Sequence, residues 1–152
     1  MTSPIEKLRE YGYELPAPKA PVASYVPVVR TGNLLYISGQ ISSNEAGVVT
    51  GLLGENMNVV QGGNAAELAG LNILAQIVHL GGVPLEEIKR IVMITVLVAS
   101  TSEFTEHHLV ANGCSNLFVG VLGDKGKHAR AAFGVAALPF GAAVEIEAVV
   151  EV

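Results

Sequence analysis

An α+β architecture is what three features of the sequence predict: a single mixed β-sheet with two helices packed on one face and a short helix ahead of it. Two segments, near 58–80 and 105–122, carry apolar residues at three- and four-residue spacing and stop at glycine. Around them lie short runs dense in Val, Ile and Leu, of which 88–99 is the longest. The order is two strands, helix, strand, helix, two strands. No repeat, low-complexity tract or composition shift divides residues 1–152, so a single domain is expected.

Ser3-Pro4, followed by Ile5, Leu8 and Tyr11, predicts the short N-terminal helix, with Ser3 as cap, Pro4 in the first turn and Gly12 just past its end. Pro16, Pro18 and Pro21 then keep the chain extended. Tyr25–Arg30 and Leu34–Ile41 read as a β-hairpin about Thr31-Gly32-Asn33, and Pro27, lacking an N–H, places the first of the two at a sheet edge. Residues 42–57 read as a long loop rich in Ser, Asn and Gly, of the kind that carries function or moves. Asn58 and Gln61 have the spacing of a capping box, and Ala65, Leu68, Leu71, Ala75 and Val78 form the apolar stripe of the helix that follows. His79, in its last turn, is expected on the surface.

After a turn at 84–87, the β-branched run 88–99 reads as a buried central strand. The second helix puts Leu109, Gly113, Leu117 and Val121 on one stripe. A glycine inside a helix costs ~1 kcal/mol relative to alanine, and close packing against a neighbouring element is the simplest compensation. His107 and His108 point about 100° apart on a helix, a poor arrangement for sharing a metal. Cys114, the single cysteine, reads as a small core residue. The last 23 residues, 130–152, read as two strands folded about Leu138-Pro139-Phe140-Gly141. In the second of them Glu145, Glu147, Val149 and Glu151 share one face, and Val144, Ile146, Ala148 and Val150 the other.

Composition narrows the function. Half of the residues are hydrophobic and only 15% charged, an apolar excess that points to a subunit interface. No run approaches the ~18 apolar residues of a membrane span, no secretory leader is visible, and a cytoplasmic setting is expected. With a net charge of −5 and nine Lys and Arg residues, there is no basic stripe of the kind that phosphate contacts require, which argues against nucleic acid. No nucleophile elbow, Walker loop, zinc-protease motif or dinucleotide fingerprint is present, so neither cofactor nor metal is expected.

What remains is Arg130, Glu145, Glu147 and the polar positions near glycines. An arginine rising from an apolar strand can grip a carboxylate with two donors, and a sheltered glutamate can orient water. Together they suit a small carboxylate-bearing metabolite. If the terminal strands form a hairpin about residues 139–140, Glu145 lies opposite 134 or 135, and Arg130 is roughly 13–17 Å away along the ladder. That spacing argues against a direct pair and favours a site shared between subunits. Gly39 fits either a bulge or a close approach of ligand to backbone.

Four local patterns carry a resemblance: Tyr25, the S-G-Q-I run at 38–41, Asn112, and the terminal Arg130…Leu138-Pro139…Glu145-Ile146-Glu147-Ala148. In order and spacing they resemble the YjgF/Rid family of reactive intermediate deaminases, also labelled L-PSP endoribonucleases. The resemblance implies a chorismate-mutase-like fold, a homotrimer with ligand pockets between subunits, and hydrolysis of 2-imino or enamine acids to 2-keto acids and ammonia. It assigns Arg130 to the substrate carboxylate, Glu145 to the attacking water, and Gly39, Tyr25 and Asn112 to the pocket. Ala132 stands where the deaminase branch usually has cysteine. Binding of a small acid without turnover is the alternative function, and an endoribonuclease the remote one.

Overall fold

The computed structural model of the chain describes residues 2–18, 20 and 23–152, so Pro21 lies outside the described residues. Helix α1 spans Pro4–Glu10 and has both halves of a capping box between Ser3 and Glu6; Gly12 follows it at φ +87°. Strands β1 (Val28–Thr31) and β2 (Leu34–Ile41) form the expected hairpin. The first begins at Val28 rather than Tyr25, because Pro27 cannot donate to the ladder. Residues 42–57 are not one unstructured loop: β3 (Ser43–Asn44) and β4 (Gly47–Val48) make a small hairpin within them. Helix α2 spans Val59–His79, with the Asn58–Gln61 capping box formed and His79 exposed at its end.

Strand β5 (Arg90–Ala99), helix α3 (His107–Leu122), strand β6 (Ala129–Val135) and strand β7 (Val144–Glu151) complete the chain. The main sheet has the order β1-β2-β7-β5-β6. It is mixed: β6 runs parallel to β5, and the other neighbours are antiparallel. Helix α2 packs on β2 and β7, and α3 on β5 and β6, both on one face. The core between sheet and helices is built from Ile94, Val96, Val98, Ile146 and Val150 on the strands and Ala66, Ala69, Ile73, Leu117 and Phe118 on the helices.

The terminal hairpin expected from the sequence does not form. Strands β6 and β7 are separated by β5, and β6 lies at the sheet edge. A strand that follows β5 through a helix returns parallel to it, as crossover connections do. The eight residues between β6 and β7, with a turn of 3-10 helix at Pro139–Gly141, then carry the chain across to the interior position. The helix stripes also differ from expectation. Leu68 and Val78 are half-buried, whereas Ala66, Ala69, Ile73 and Ile77 are fully buried, because α2 is enclosed by the sheet on one side and α3 on the other. Leu109 is 39% exposed, and α3 instead buries Val110, Cys114, Leu117, Phe118 and Val121.

Gly113 sits where α3 crosses α2. A methyl group there would overlap the backbone carbonyl of Gly63, whereas a methyl at Gly63 would meet nothing within 4 Å. The two glycines therefore differ, although they face each other. Gly113→Ala is expected to lower unfolding stability by about 1–3 kcal/mol, the usual cost of overpacking. Gly63→Ala should be neutral or stabilising by up to ~1 kcal/mol, from helix propensity alone. Denaturant midpoints of the two variants check this; equal losses would contradict the crossing geometry.

Candidate functional site

One candidate region lies where β2 and β7 meet. The β2–β7 register slips between Ile37 and Gln40, so Ser38 and Gly39 drop out of the ladder with β7 as a bulge. Ser38 ties the bulge to the chain before β1, donating its N–H to the Pro27 carbonyl (2.8 Å) and its hydroxyl to that of Val26 (2.7 Å). Beneath the bulge two amides from the apolar helix α2 fix the wall. Asn72 donates to the carbonyls of Ile41 (3.2 Å) and Ser43 (3.1 Å), and Gln76 donates to the Gln40 side chain (3.3 Å). The result is a cavity of ≈ 310 Å³ whose lining includes Tyr25, Pro27, Gly39, Val48, Phe140 and Glu145.

Among the described residues that line the cavity, Glu145 is the one carboxylate. The side chain is half-buried against Gly39, where a Cβ would stand 2.9 Å from the carboxyl carbon and from Oε1. Gly39 is thus required sterically by Glu145, which joins the two explanations of that glycine: it forms a bulge, and it brings a carboxylate against the backbone. Burial raises the Glu145 carboxyl above its ordinary value, and the negative charge of Glu147 on the same face raises it further. Among the described residues no donor bonds its carboxylate.

A second candidate region lies on the far side of the sheet. Arg130 aligns with Ile94 of β5 and, through it, with Ala148 of β7, whereas Glu145 aligns with Leu97. The odd offset puts the two side chains on opposite faces. Two strand spacings across and three residues along place their backbones about 14 Å apart. Arg130 turns toward α3. Its Nη1 donates to Asn112 Oδ1 (2.9 Å) and Ser115 Oγ (3.1 Å), and its Nη2 to the His108 carbonyl (3.2 Å). Among the described residues three of the five guanidinium N–H groups are engaged, and the Nε–H and one Nη2–H are not; Nε and Nη2 form the edge of the guanidinium that binds a carboxylate bidentately.

A histidine backs this arrangement. His128 Nδ1 lies 2.6 Å from the Gly126 carbonyl, which can only accept, so Nδ1 carries the proton. In the neutral ring Nε2 then accepts from the Ser115 hydroxyl at 2.8 Å, and the Ser115 oxygen is left to accept from Arg130. Burial lowers the His128 pKa, opposed by the Gly126 hydrogen bond and aided by the Arg130 charge, so the neutral form is favoured. The two ion pairs among the described residues are Arg9–Glu14 and Lys127–Asp124. Arg130 is in neither.

The five residues singled out in the sequence thus fall into two groups: Tyr25, Gly39 and Glu145 in the cavity, Asn112 and Arg130 across the sheet. The hairpin on which the 13–17 Å spacing was reckoned is absent, yet Arg130 and Glu145 do not pair. Ser115 and His128 were not picked out; proximity of His128 to Arg130 in sequence was the only signal. Asn72 and Gln76, two amides within an apolar helix, were a clearer one, because buried amides need partners.

The mixed sheet with two helices on one face thus carries a largely apolar cavity with one carboxylate, and on the opposite face of the sheet a guanidinium braced by neutral acceptors. Comparison with known proteins gives the family. Residues 16–152 match the model of the family Endoribonuclease L-PSP. Protein TCP17 of Trypanosoma cruzi is 44% identical over 146 residues, which span 95% of this chain and 91% of that protein. The crystal structure of Atu1372 from Agrobacterium tumefaciens, a protein of unknown function, superposes with a TM-score of 0.90 at 46% identity, covering 98% of this chain and 91% of that one. A Shewanella oneidensis protein that carries an endoribonuclease name superposes at 0.94 with 28% identity, over 99% of both chains. The chain belongs to the L-PSP, or YjgF/Rid, family, and its chorismate-mutase-like α+β fold is that family's.

The steric link between residues 39 and 145 has a measurable consequence. Gly39→Ala should drive the Glu145 carboxylate out of its sheltered position and bring its titration down toward the ordinary carboxylate range. Glu147→Gln should also lower it, because removing a like charge favours the anion. Carboxyl ¹³C NMR titration checks both; a Glu145 midpoint that is the same in all three proteins would contradict the assignment.

Proposed function

We propose that the chain assembles as a homotrimer in which the cavity of one subunit meets the Arg130 cluster of the next, and that the composite site hydrolyses 2-imino or enamine acids to 2-keto acids and ammonia. The observation that carries this reading is Arg130 itself: a guanidinium held by three neutral acceptors, without a carboxylate partner and with two adjacent donors left over. Such an arrangement is suited to a ligand's carboxylate. Assembly is supported by the second face of the sheet. Val29, Tyr36 and Phe133 stand on it 46–48% exposed, beside Met93, Leu97 and Val149, and among the described residues no helix packs there. Exposed apolar side chains grouped on one face support its burial against a second subunit.

In the composite site Arg130 holds the carboxylate and fixes the neighbouring C=N carbon beside Glu145 of the adjoining subunit. Glu145 accepts a proton from water as the water oxygen bonds to that carbon and passes it to the imine nitrogen, giving a carbinolamine. The carboxylate then takes the carbinolamine hydroxyl proton and delivers it to nitrogen as the C–N bond breaks and the C=O bond forms, so ammonia leaves and the 2-keto acid remains. A carboxyl whose pKa is raised by burial is fitted to both steps, since it can carry the proton between them. Asn112, Ser115 and His128 position the arginine. An RNA substrate is disfavoured by the net charge of −5 and by the absence of a basic stripe.

Arg130→Ala should reduce ammonia release by about 10²-fold or more, the loss expected from two charge-assisted hydrogen bonds. Imino acid generated in the assay by an amino-acid oxidase supplies the substrate. The thermal melt should stay unchanged, because no buried carboxylate is stranded, and Arg130→Lys should rescue poorly because an ammonium lacks the planar fork. Full activity without the arginine, or a collapsed melt, would overturn the clamp. Binding of 2-keto acids that depends on Arg130 but is unaccompanied by ammonia release would identify a small-acid binding protein instead.

A further inference from the structure

We infer that Phe140 and the β3–β4 hairpin select for an acid with a large apolar side chain, branched or aromatic; the inference rests on the proposed deaminase reading and names its substrate class. Phe140 is the one non-glycine residue with positive φ among the described residues, at φ 60° and ψ 17°. A bulky side chain disfavours that left-handed conformation, so it persists only where something compensates for it. Burial does not, since the ring is 65% exposed. What the conformation achieves is placement: the ring stands at the mouth of the cavity, on the segment leading to Glu145.

The chemistry of the cavity agrees. Its lining side chains include Tyr25, Pro27, Ile41, Val48, Pro139 and Phe140, and among the described residues Glu145 is its only carboxyl group. Among the described residues no Lys, Arg or His lines it, and on the proposed reading the substrate carboxylate is taken by Arg130 of the neighbouring subunit. With the carboxylate on the neighbouring Arg130 and the C=N carbon at Glu145, the part of the substrate that enters the cavity is its side chain. The cavity volume of ≈ 310 Å³ exceeds the needs of a methyl group and accommodates an isobutyl or benzyl group. Val48 comes from the hairpin held over this space by the Asn72 hydrogen bond to Ser43, so that wall is fixed from the core.

The test compares wild type with Phe140→Gly and Phe140→Asn, two residues that tolerate the left-handed backbone. Imines are generated in the assay from leucine, phenylalanine and alanine. Wild type should show the larger kcat/KM with the first two, and in both variants the leucine-to-alanine ratio should fall by about 10-fold or more, within the range for lost apolar contacts in a pocket. The melting temperature and oligomer mass should not fall. Equal turnover of all three imines, a ratio unchanged in the variants, or a variant that dissociates the oligomer would overturn the inference while leaving deamination standing. No turnover of any imine by wild type would overturn the deaminase reading instead. The side-chain preference would then be decided by calorimetric titration with 4-methyl-2-oxopentanoate against pyruvate: tighter binding of the former, lost in Phe140→Gly, supports it, and equal affinities overturn it.

Discussion

The antiparallel pairing of β7 with β2 on one side and β5 on the other is the interaction from which the remaining placements follow. Eight residues alternate so that Val144, Ile146, Ala148 and Val150 are buried against the helices, while Glu145, Glu147, Val149 and Glu151 point the other way. A slip of one residue would exchange the two sets and bury three carboxylates, so the register is strongly specified. The bulge in β2 is the local adjustment that lets Glu145 lie against Gly39 without breaking that register.

The same pairing separates the charges. With β7 interior, β6 is forced to the edge, and its arginine turns to α3, on the face opposite the carboxylates. Each half is then left with an electrostatic remainder. Among the described residues Glu145, partly desolvated beside Glu147, has no donor, and Arg130, braced by neutral groups, has no acid. A cation held by a serine whose hydroxyl is oriented by a neutral histidine is an arrangement of fixed dipoles, which binds an anion without reorganising. A second copy of the chain is the simplest source of the missing complement for each half, and it would also cover the apolar face of the sheet.

Much of this was legible in the sequence. The cap at Ser3, the capping box at Asn58, glycines at 12 and 123, and the β-branched run at 88–99 act locally, so their signals survive without knowledge of the fold. Gly113 was legible as a close contact because a mid-helix glycine is costly, although its partner, the Gly63 carbonyl, was not. What escaped was long-range. Two apolar strands joined by a Pro-Gly turn look like a hairpin whether or not a third strand lies between them. The stripe on α2 was misjudged because a helix enclosed on two sides buries more than one face. Arg130 and Glu145 could be named from their chemistry, but that they lie on opposite faces depends on β5 standing between their strands. Phe140 gave no signal, since its importance lies in a backbone angle.

The central claim is that each site takes Arg130 from one subunit and Glu145 from another. Subunit complementation tests it most directly. Arg130→Ala and Glu145→Gln are each expected to be inactive alone. Unfolded together in equal amounts and refolded, they should form mixed trimers in which about one quarter of the interfaces pair an intact arginine with an intact glutamate, as random assembly of a cyclic oligomer requires. Ammonia release should recover to about that fraction of the wild-type rate. A mixture as inactive as its components, with mixed oligomers demonstrated by mass, would contradict the shared site.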